Sequence, residues 1–163
     1  MKKVLVITII VSALLAACLK NVTNTPITTD CIPVAPAAEE ATIKSFCGAD
    51  TITYTKDTSY IYYHIVDSGT GALAATTIFF TYKAVLLNGT VISQSNEPNS
   101  SPIVNLIKGF QDMARFYKKG ARIIMVIPSS LAYSCQGVVS TSGSYTIQPN
   151  TILYYDVSIT DVQ

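Results

Sequence analysis

Apolar and polar positions follow two different periods along this chain. Residues 36–48 carry Pro36, the early acids Glu39 and Glu40, the later Lys44, and Gly48 at the end. That order of signals predicts a helix that buries Ile43 and Phe46. From residue 60 the period becomes two. Residues 60–66 are β-branched and aromatic and run into Asp67-Ser-Gly-Thr-Gly71, which predicts a strand closed by a turn. Residues 78–87 place Ile78, Phe80, Tyr82, Ala84 and Leu86 on one face. Asn88-Gly89 then supplies a hairpin turn, and residues 90–95 return as a strand. The polar stretch 97–102 reads as a loop. Residues 110–117 are predicted as a short helix, with Lys118 and Lys119 at its negative end and Gly120 as a left-handed stop. The continuous apolar run 123–127 predicts a buried strand over 122–127, and residues 134–145, rich in Gly, Ser and Thr, a loop long enough to overhang a pocket. In the last strand, 152–159, Leu153, Tyr155, Val157 and Ile159 share a face. These elements sum to an α+β domain, an antiparallel sheet of five or six strands on one short helix.

The first residues change the picture of where this domain works. Lys2 and Lys3 precede an apolar run ending in Leu15-Ala-Ala-Cys18, which resembles the lipobox of bacterial lipoproteins. The run is short of the roughly 20 residues of a membrane span, so it reads as a cleaved leader. The expected organisation is a signal peptide over 1–17, a tether over 18–35, a helix and lead-in over 36–59, and the main domain over 60–163. Cys18 would carry the lipid, anchoring an exported protein with its domain in the periplasm or at the cell surface. Export permits disulfides, and three cysteines remain once Cys18 is set aside. Cys31 and Cys47, which share the N-terminal region, are expected to pair and to leave Cys135 reduced.

Charge excludes one class of partner. Eleven Lys and Arg stand against ten Asp and Glu, and without Lys2 and Lys3 the balance is nine against ten. No basic field advertises nucleic acid. His64 is the single histidine, in a strand and without a Cys or carboxylate cluster at ligand spacing, so no metal and no cofactor is expected. Gly69-Thr-Gly71-Ala-Leu-Ala74 matches a loose dinucleotide fingerprint, but the next strand follows too soon for the helix such a site needs. Hydrolase and P-loop motifs are missing from the sequence. What remains is the stretch from Leu106 to Tyr133, together with Phe80, Tyr82 and Tyr155. These aromatics read either as core or as the walls of a pocket.

Tyr82, Asn88-Gly-Thr90, Leu106-Ile-Lys-Gly-Phe110, Lys119-Gly-Ala-Arg122, Ile127-Pro128, Leu131-Ala-Tyr133, Gly137 and residues 147–157 together resemble the FKBP-type peptidyl-prolyl cis/trans isomerases. With its lipobox and N-terminal helix, the chain is similar to the lipoprotein members from Bacteroidetes-type bacteria. The resemblance implies a sheet half-wrapped around the helix at Phe110. It also implies a monomer that takes proline-containing unfolded or extended polypeptides. By that resemblance Tyr82, Phe110, Tyr133 and Tyr155 wall a proline pocket, and Ile92, Leu106, Ile107 and Ile147 complete its apolar lining. The backbone N–H of Ile107 and the hydroxyl of Tyr133 would hold substrate carbonyls, with Ser93 beside the twisting amide. The chain departs from the family pattern at Phe110 (usually Trp), Ile92-Ser93 (Phe-Asp), Tyr155 (Phe) and Ser134 (Gly). Two functions stay open at this point: an isomerase for exported chains, or a proline-peptide-binding, chaperone-like module with little turnover.

Overall fold

A computed structural model describes residues 30–163. The leader at 1–17, Cys18 and the tether up to residue 29 lie outside the described residues. Helix α1, Pro36–Ala49, starts on proline and turns Glu39, Ile43 and Cys47 inward. Eight strands follow: β1 Thr55–Lys56, β2 Tyr62–Leu73, β3 Thr77–Leu86, β4 Val91–Pro102, β5 Lys118–Ile127, β6 Val138–Val139, β7 Tyr145–Ile147 and β8 Leu153–Val162. Six of them form one antiparallel sheet in the order β1-β2-β5-β8-β3-β4, and β6 and β7 pair separately. Helix α2, Lys108–Asp112, lies between β4 and β5 in the chain.

Strand β5 sits inside the sheet and is covered on both faces. That is why residues 123–127 are all buried and read as an unbroken apolar run rather than an alternation. Ile123, Met125 and Ile127 join the larger core with Phe80, Phe110, Tyr155 and Val157. Val126 belongs instead to a smaller cluster with Ile43, Cys47 and Tyr62 beneath α1. On β8 the alternation is retained: Leu153, Tyr155, Val157 and Ile159 are buried and the residues between them are half-buried. Asn88 and Gly89 turn the chain between β3 and β4, and the Asn88 side chain accepts the Thr90 N–H at 3.0 Å.

Four expectations are corrected. The glycines at 69 and 71 do not close β2; the strand continues through them to Leu73, pairing with β5 across two register shifts. Gly69 has φ +64, and a Cβ there would stand 2.6 Å from the Ala121 backbone nitrogen. Its left-handed conformation therefore serves a close strand approach, and that of Gly71, φ +80, falls within the second register shift, so neither makes a reversal. Lys118, Lys119 and Gly120 accordingly open β5 rather than ending a helix. The helix predicted over 110–117 is shorter and starts earlier. At Met113 the N–H is shared between the Gly109 and Phe110 carbonyls, and the chain tightens into a 3-10 turn at Ala114–Phe116. The polar stretch 97–102 is strand, not loop: it is the outer half of edge strand β4, where Pro and exposed polar residues are tolerated. Residues 96–98 bulge from it, since Ser95 faces Tyr82 and Asn99 faces Phe80.

The fourth correction concerns the cysteines. Cys31 is bonded to Cys135, with Cα atoms 5.2 Å apart, and Cys47 is the buried free thiol. Proximity in sequence misled the expectation. Cys47 points from α1 into the cluster with Tyr62 and Val126, whereas the chain before α1 runs to the segment that follows Tyr133. His64 is a structural surface residue. Its Nδ1 lies 2.9 Å from the Thr53 carbonyl, an acceptor only, so that nitrogen carries the proton.

Candidate functional site

One concavity of about 300 Å³ opens between β3, β4, β8, α2 and the turns after β5. Its floor is built from the strand alternation: Phe80, Tyr82 and Ala84 come from β3 and Tyr155 from β8, Ala84 and Tyr155 being direct cross-strand partners. Phe110 closes the bottom. Its ring is 2 % exposed, 4.9 Å from Tyr155 at 89°, and 6.0 Å from Phe80. Edge-to-face contact directs ring hydrogens at a neighbour's π face, which fixes both rings without filling the space above them. Gly109 is what lets α2 come so close: a Cβ there would meet the Ile127 side chain at 2.5 Å.

The rim is made of turns. Leu106 and Ile107 lead into α2, and Gln111 reaches back to donate to the Leu106 carbonyl at 2.8 Å and the Val104 carbonyl at 3.2 Å, which holds this lead-in. The Ile107 carbonyl accepts from Phe110 and Gln111, while its own N–H donates to no group among the described residues. Tyr133 follows the 3-10 turn Ser129–Leu131, and Ile147 ends β7. Ile92 and Ser93 enter from β4, and the Ser93 and Tyr82 hydroxyls are 2.9 Å apart. Burial pushes the Tyr155 phenol up from its ordinary value, with the Tyr133 and Tyr82 hydroxyls adding to the shift, so it stays protonated at neutral pH.

The structure thus brings together Tyr82, Ile92, Ser93, Leu106, Ile107, Phe110, Tyr133, Ile147 and Tyr155 around one cavity. Two lining residues were not singled out from the sequence. Ala84 lies on the alternating face of β3 and could have been read from that pattern. Asn105 lies at the end of the 3-10 turn Ile103–Asn105, with no periodicity to mark it. A larger cleft of about 630 Å³ lies among Lys56, Asp57, Thr58, Tyr60, Tyr63 and Arg115. Its cations are already paired, Arg115 with Asp57 at 3.5 Å and Lys56 with Glu40 at 3.0 Å, and it lacks aliphatic walls. Among the described residues no group of three His, Cys, Asp or Glu is placed to hold a metal ion. The 300 Å³ cavity can therefore strip water from an apolar ring and offer phenol and amide donors beside it. It presents no charged side chain to do acid-base work.

Residues 69–160 match the family model described as FKBP-type peptidyl-prolyl cis-trans isomerase. Among curated proteins, the chain is 33% identical over 106 residues to the FKBP-type peptidyl-prolyl cis-trans isomerase FkpA of Escherichia coli, covering 62% of this chain and 37% of that one. It is likewise 33% identical over 85 residues to the peptidyl-prolyl cis-trans isomerase Mip of Coxiella burnetii, covering 50% and 35%. It therefore spans well under half the length of these relatives. The crystal structure of FkpA from Escherichia coli superposes with a TM-score of 0.65 at 26% identity, over 78% of this chain and 59% of that one. A peptidyl-prolyl cis-trans isomerase from Pseudomonas syringae shares the fold at 20% identity, with a TM-score of 0.61 over 79% of this chain and 96% of its own. An FKBP-like sheet and cavity lined by the residues above, and a family model matched over more than half of the sequence, lead to one assignment: the chain belongs to the FKBP-type peptidyl-prolyl cis-trans isomerase family.

Proposed function

We propose that this protein is a peptidyl-prolyl cis-trans isomerase that acts, as a monomer, on proline-containing segments of exported, unfolded chains. The observation that carries this reading is the apolar cavity floored by Phe110, Phe80 and Tyr155, with Tyr133 and the undonated Ile107 N–H at its rim. Rotation about an X-Pro bond is slow because amide resonance must be broken, a barrier of about 18–20 kcal/mol for ordinary peptide bonds and lower for prolyl bonds. No nucleophile is required. The planar amide is a larger dipole than the twisted one, so removing water from it raises the ground state more than the transition state. In this chain the proline ring would lie against Phe110 and Tyr155, walled by Tyr82, Ile92, Leu106 and Ile147. The Ile107 N–H and the Tyr133 hydroxyl would grip the flanking carbonyls and fix the part of the chain that does not rotate.

One observation favours a second reading, a proline-peptide-binding module with little turnover. Ser93 stands where the family pattern has Asp, is uncharged, and has its hydroxyl within hydrogen-bond distance of Tyr82. A protease-free isomerisation assay on a short X-Pro peptide separates the two. With turnover, Tyr133→Phe should lower kcat/KM about two- to tenfold, the worth of one net hydrogen bond of about 0.5–1.5 kcal/mol. Ser93→Asp should raise it by placing a negative charge beside the twisting amide. Unchanged rates in both stable variants would show that this cavity is not the site. Binding without turnover would establish the module instead.

The same proposal places the protein at a membrane through a lipidated Cys18, on the strength of Leu15-Ala-Ala-Cys18 alone. Intact mass of membrane-extracted protein should lack residues 1–17 and carry an acyl-glyceryl addition. An unmodified Met1 start would overturn it.

A further inference from the structure

The segment that carries Tyr133 into the cavity is held at both ends by residues that precede the stretch matching the family. At its start, the 3-10 turn Ser129–Leu131 presents the Ser129 N–H to Glu39 of α1, whose Oε2 accepts it at 2.8 Å across 90 residues of sequence. Glu39 is 7 % exposed, and no cation pairs with it among the described residues. A carboxylate is costly to bury unless it is hydrogen-bonded, so its presence here ties α1 to this one turn. Ser129 is itself fully buried, and neither its hydroxyl nor that of Ser130 has a partner, which leaves Glu39 as the polar group that the turn engages. At the other end, Cys135 is bonded to Cys31 across 104 residues. Between Tyr133 and that bond lies Ser134, at φ +55, a left-handed conformation that a residue with a Cβ resists. It is retained with the help of the Asn150 N–H, which donates to the Ser134 carbonyl at 2.8 Å.

We propose that the chain from Cys31 to α1 is a two-point clamp on residues 129–137, with Glu39 and the Cys31–Cys135 bond as positioning groups for Tyr133 in the reaction. The clamp rests on the reading of the cavity given above, and it deepens that reading by making the isomerase rim depend on residues outside the matched domain. Tyr133 lies four residues after the Glu39 contact and two before the disulfide, so neither end of its turn is free to swing. A turn anchored at one end only would let the ring leave the rim while the strand-built floor stayed intact.

The test uses the full chain and three variants: Glu39→Ala, Glu39→Gln and the double change Cys31→Ser with Cys135→Ser. Amide hydrogen exchange, resolved to 131–137 and to the β5 core at 123–127, is read in each, together with kcat and KM. The clamp predicts at least tenfold faster exchange at 131–137 in Glu39→Ala and in the cysteine variant, with 123–127 unchanged. Glu39→Gln, whose amide oxygen still accepts the Ser129 N–H, should restore protection. It also predicts a three- to tenfold loss of kcat/KM in those two variants. That loss should largely vanish when the same changes are made on a Tyr133→Phe background, because the clamp acts through that hydroxyl. Unchanged exchange at 131–137, exchange that rises equally throughout the sheet, or losses fully additive with Tyr133→Phe would each overturn the proposal. Should Glu39→Ala fail to fold, the cysteine variant decides. Should the wild type neither bind nor isomerise X-Pro peptides, the cavity reading fails by itself, and exchange at 131–137 still decides whether the clamp exists.

Discussion

The two faces of the sheet solve the same packing problem differently. On one face, Phe80, Phe110, Met113, Tyr117 and Tyr155 gather over the sheet, yet Phe110 meets Tyr155 edge to face and Phe80 at a tilt of 52°, and about 300 Å³ stays open to solvent beside them. On the other, α1 lays Ile43 and Cys47 against Tyr62 and Val126, with Phe46 edge-on to Tyr154 at 6.0 Å. There the main polar intrusion, Glu39, is hydrogen-bonded. Close packing is the rule for protein interiors, so an apolar hollow kept open beside the core is where the proposed peptide would bind. The α1 face is filled around Ile43, and its groove of about 380 Å³ runs beside Phe46 and Tyr154 with the charged Asp50, Lys83 and Asp156 along it; what this face contributes is stability and, through Glu39, a hydrogen bond to the rim opposite.

Substitutions on the two faces should therefore differ in kind as well as size. The largest effect is expected from Phe110→Ala. It deletes a ring that is 2 % exposed and touches both Phe80 and Tyr155, and it should cost about 3–5 kcal/mol of stability and abolish X-Pro peptide binding. Chemical denaturation with peptide titration of the folded fraction checks it. Retained binding would show that the floor is dispensable and blur the contrast. Second, Tyr117 lies in the same core with its hydroxyl buried and unpartnered, and burial pushes its phenol well above the usual range. Tyr117→Phe should raise stability by about 1 kcal/mol, since it removes a polar group that folding desolvates without compensation. A loss measured by the same denaturation would mean that this hydroxyl has a partner.

On the filled face, Ile43→Val removes one methyl group from a fully buried side chain and should cost about 0.5–1.5 kcal/mol while leaving kcat/KM within about twofold. A larger loss of activity than of stability would show that the faces are coupled through more than Glu39. The smallest effect concerns Cys47, whose thiol burial pushes from an ordinary 9.0 up to about 11. A folded pKa raised above the unfolded one favours the neutral thiol. Its contribution is thus complete below about 9 and is lost as pH rises through about 11. Native protein at pH 8 should resist alkylation at Cys47, as read by peptide mapping, while urea-unfolded protein reacts. Rapid labelling of the native form would show that the face is open.

Much of the cavity floor was legible in the chain, because a strand's period of two assigns faces without reference to anything distant. Ile78, Phe80, Ala84, Leu153, Tyr155 and Val157 fall where the alternation puts them. Phe110 was legible as part of a short helix, although that helix opens two residues earlier, at Lys108, and takes in Gly109. The glycines misled for a local reason. Gly69, Gly71 and Gly120 all have positive φ, which sequence reads as turn or helix stop, but between long strands the same conformation serves a close backbone approach at Gly69 and Gly120 and a bulge at Gly71. Residues 97–102 misled because an edge strand, solvated along one side, can have the composition of a loop.

The chain by itself determined the sheet, its buried faces, the aromatic floor and the family, since each depends on spacing within one element or on the order of linked motifs. Only the tertiary structure decided which cysteine meets Cys31, what Glu39 holds, and that the turn bearing Tyr133 is fastened to the N-terminal segment. Those contacts join residues 90 and 104 positions apart. No period or propensity encodes such a pairing; it exists only once the sheet has folded and the two segments arrive at the same place.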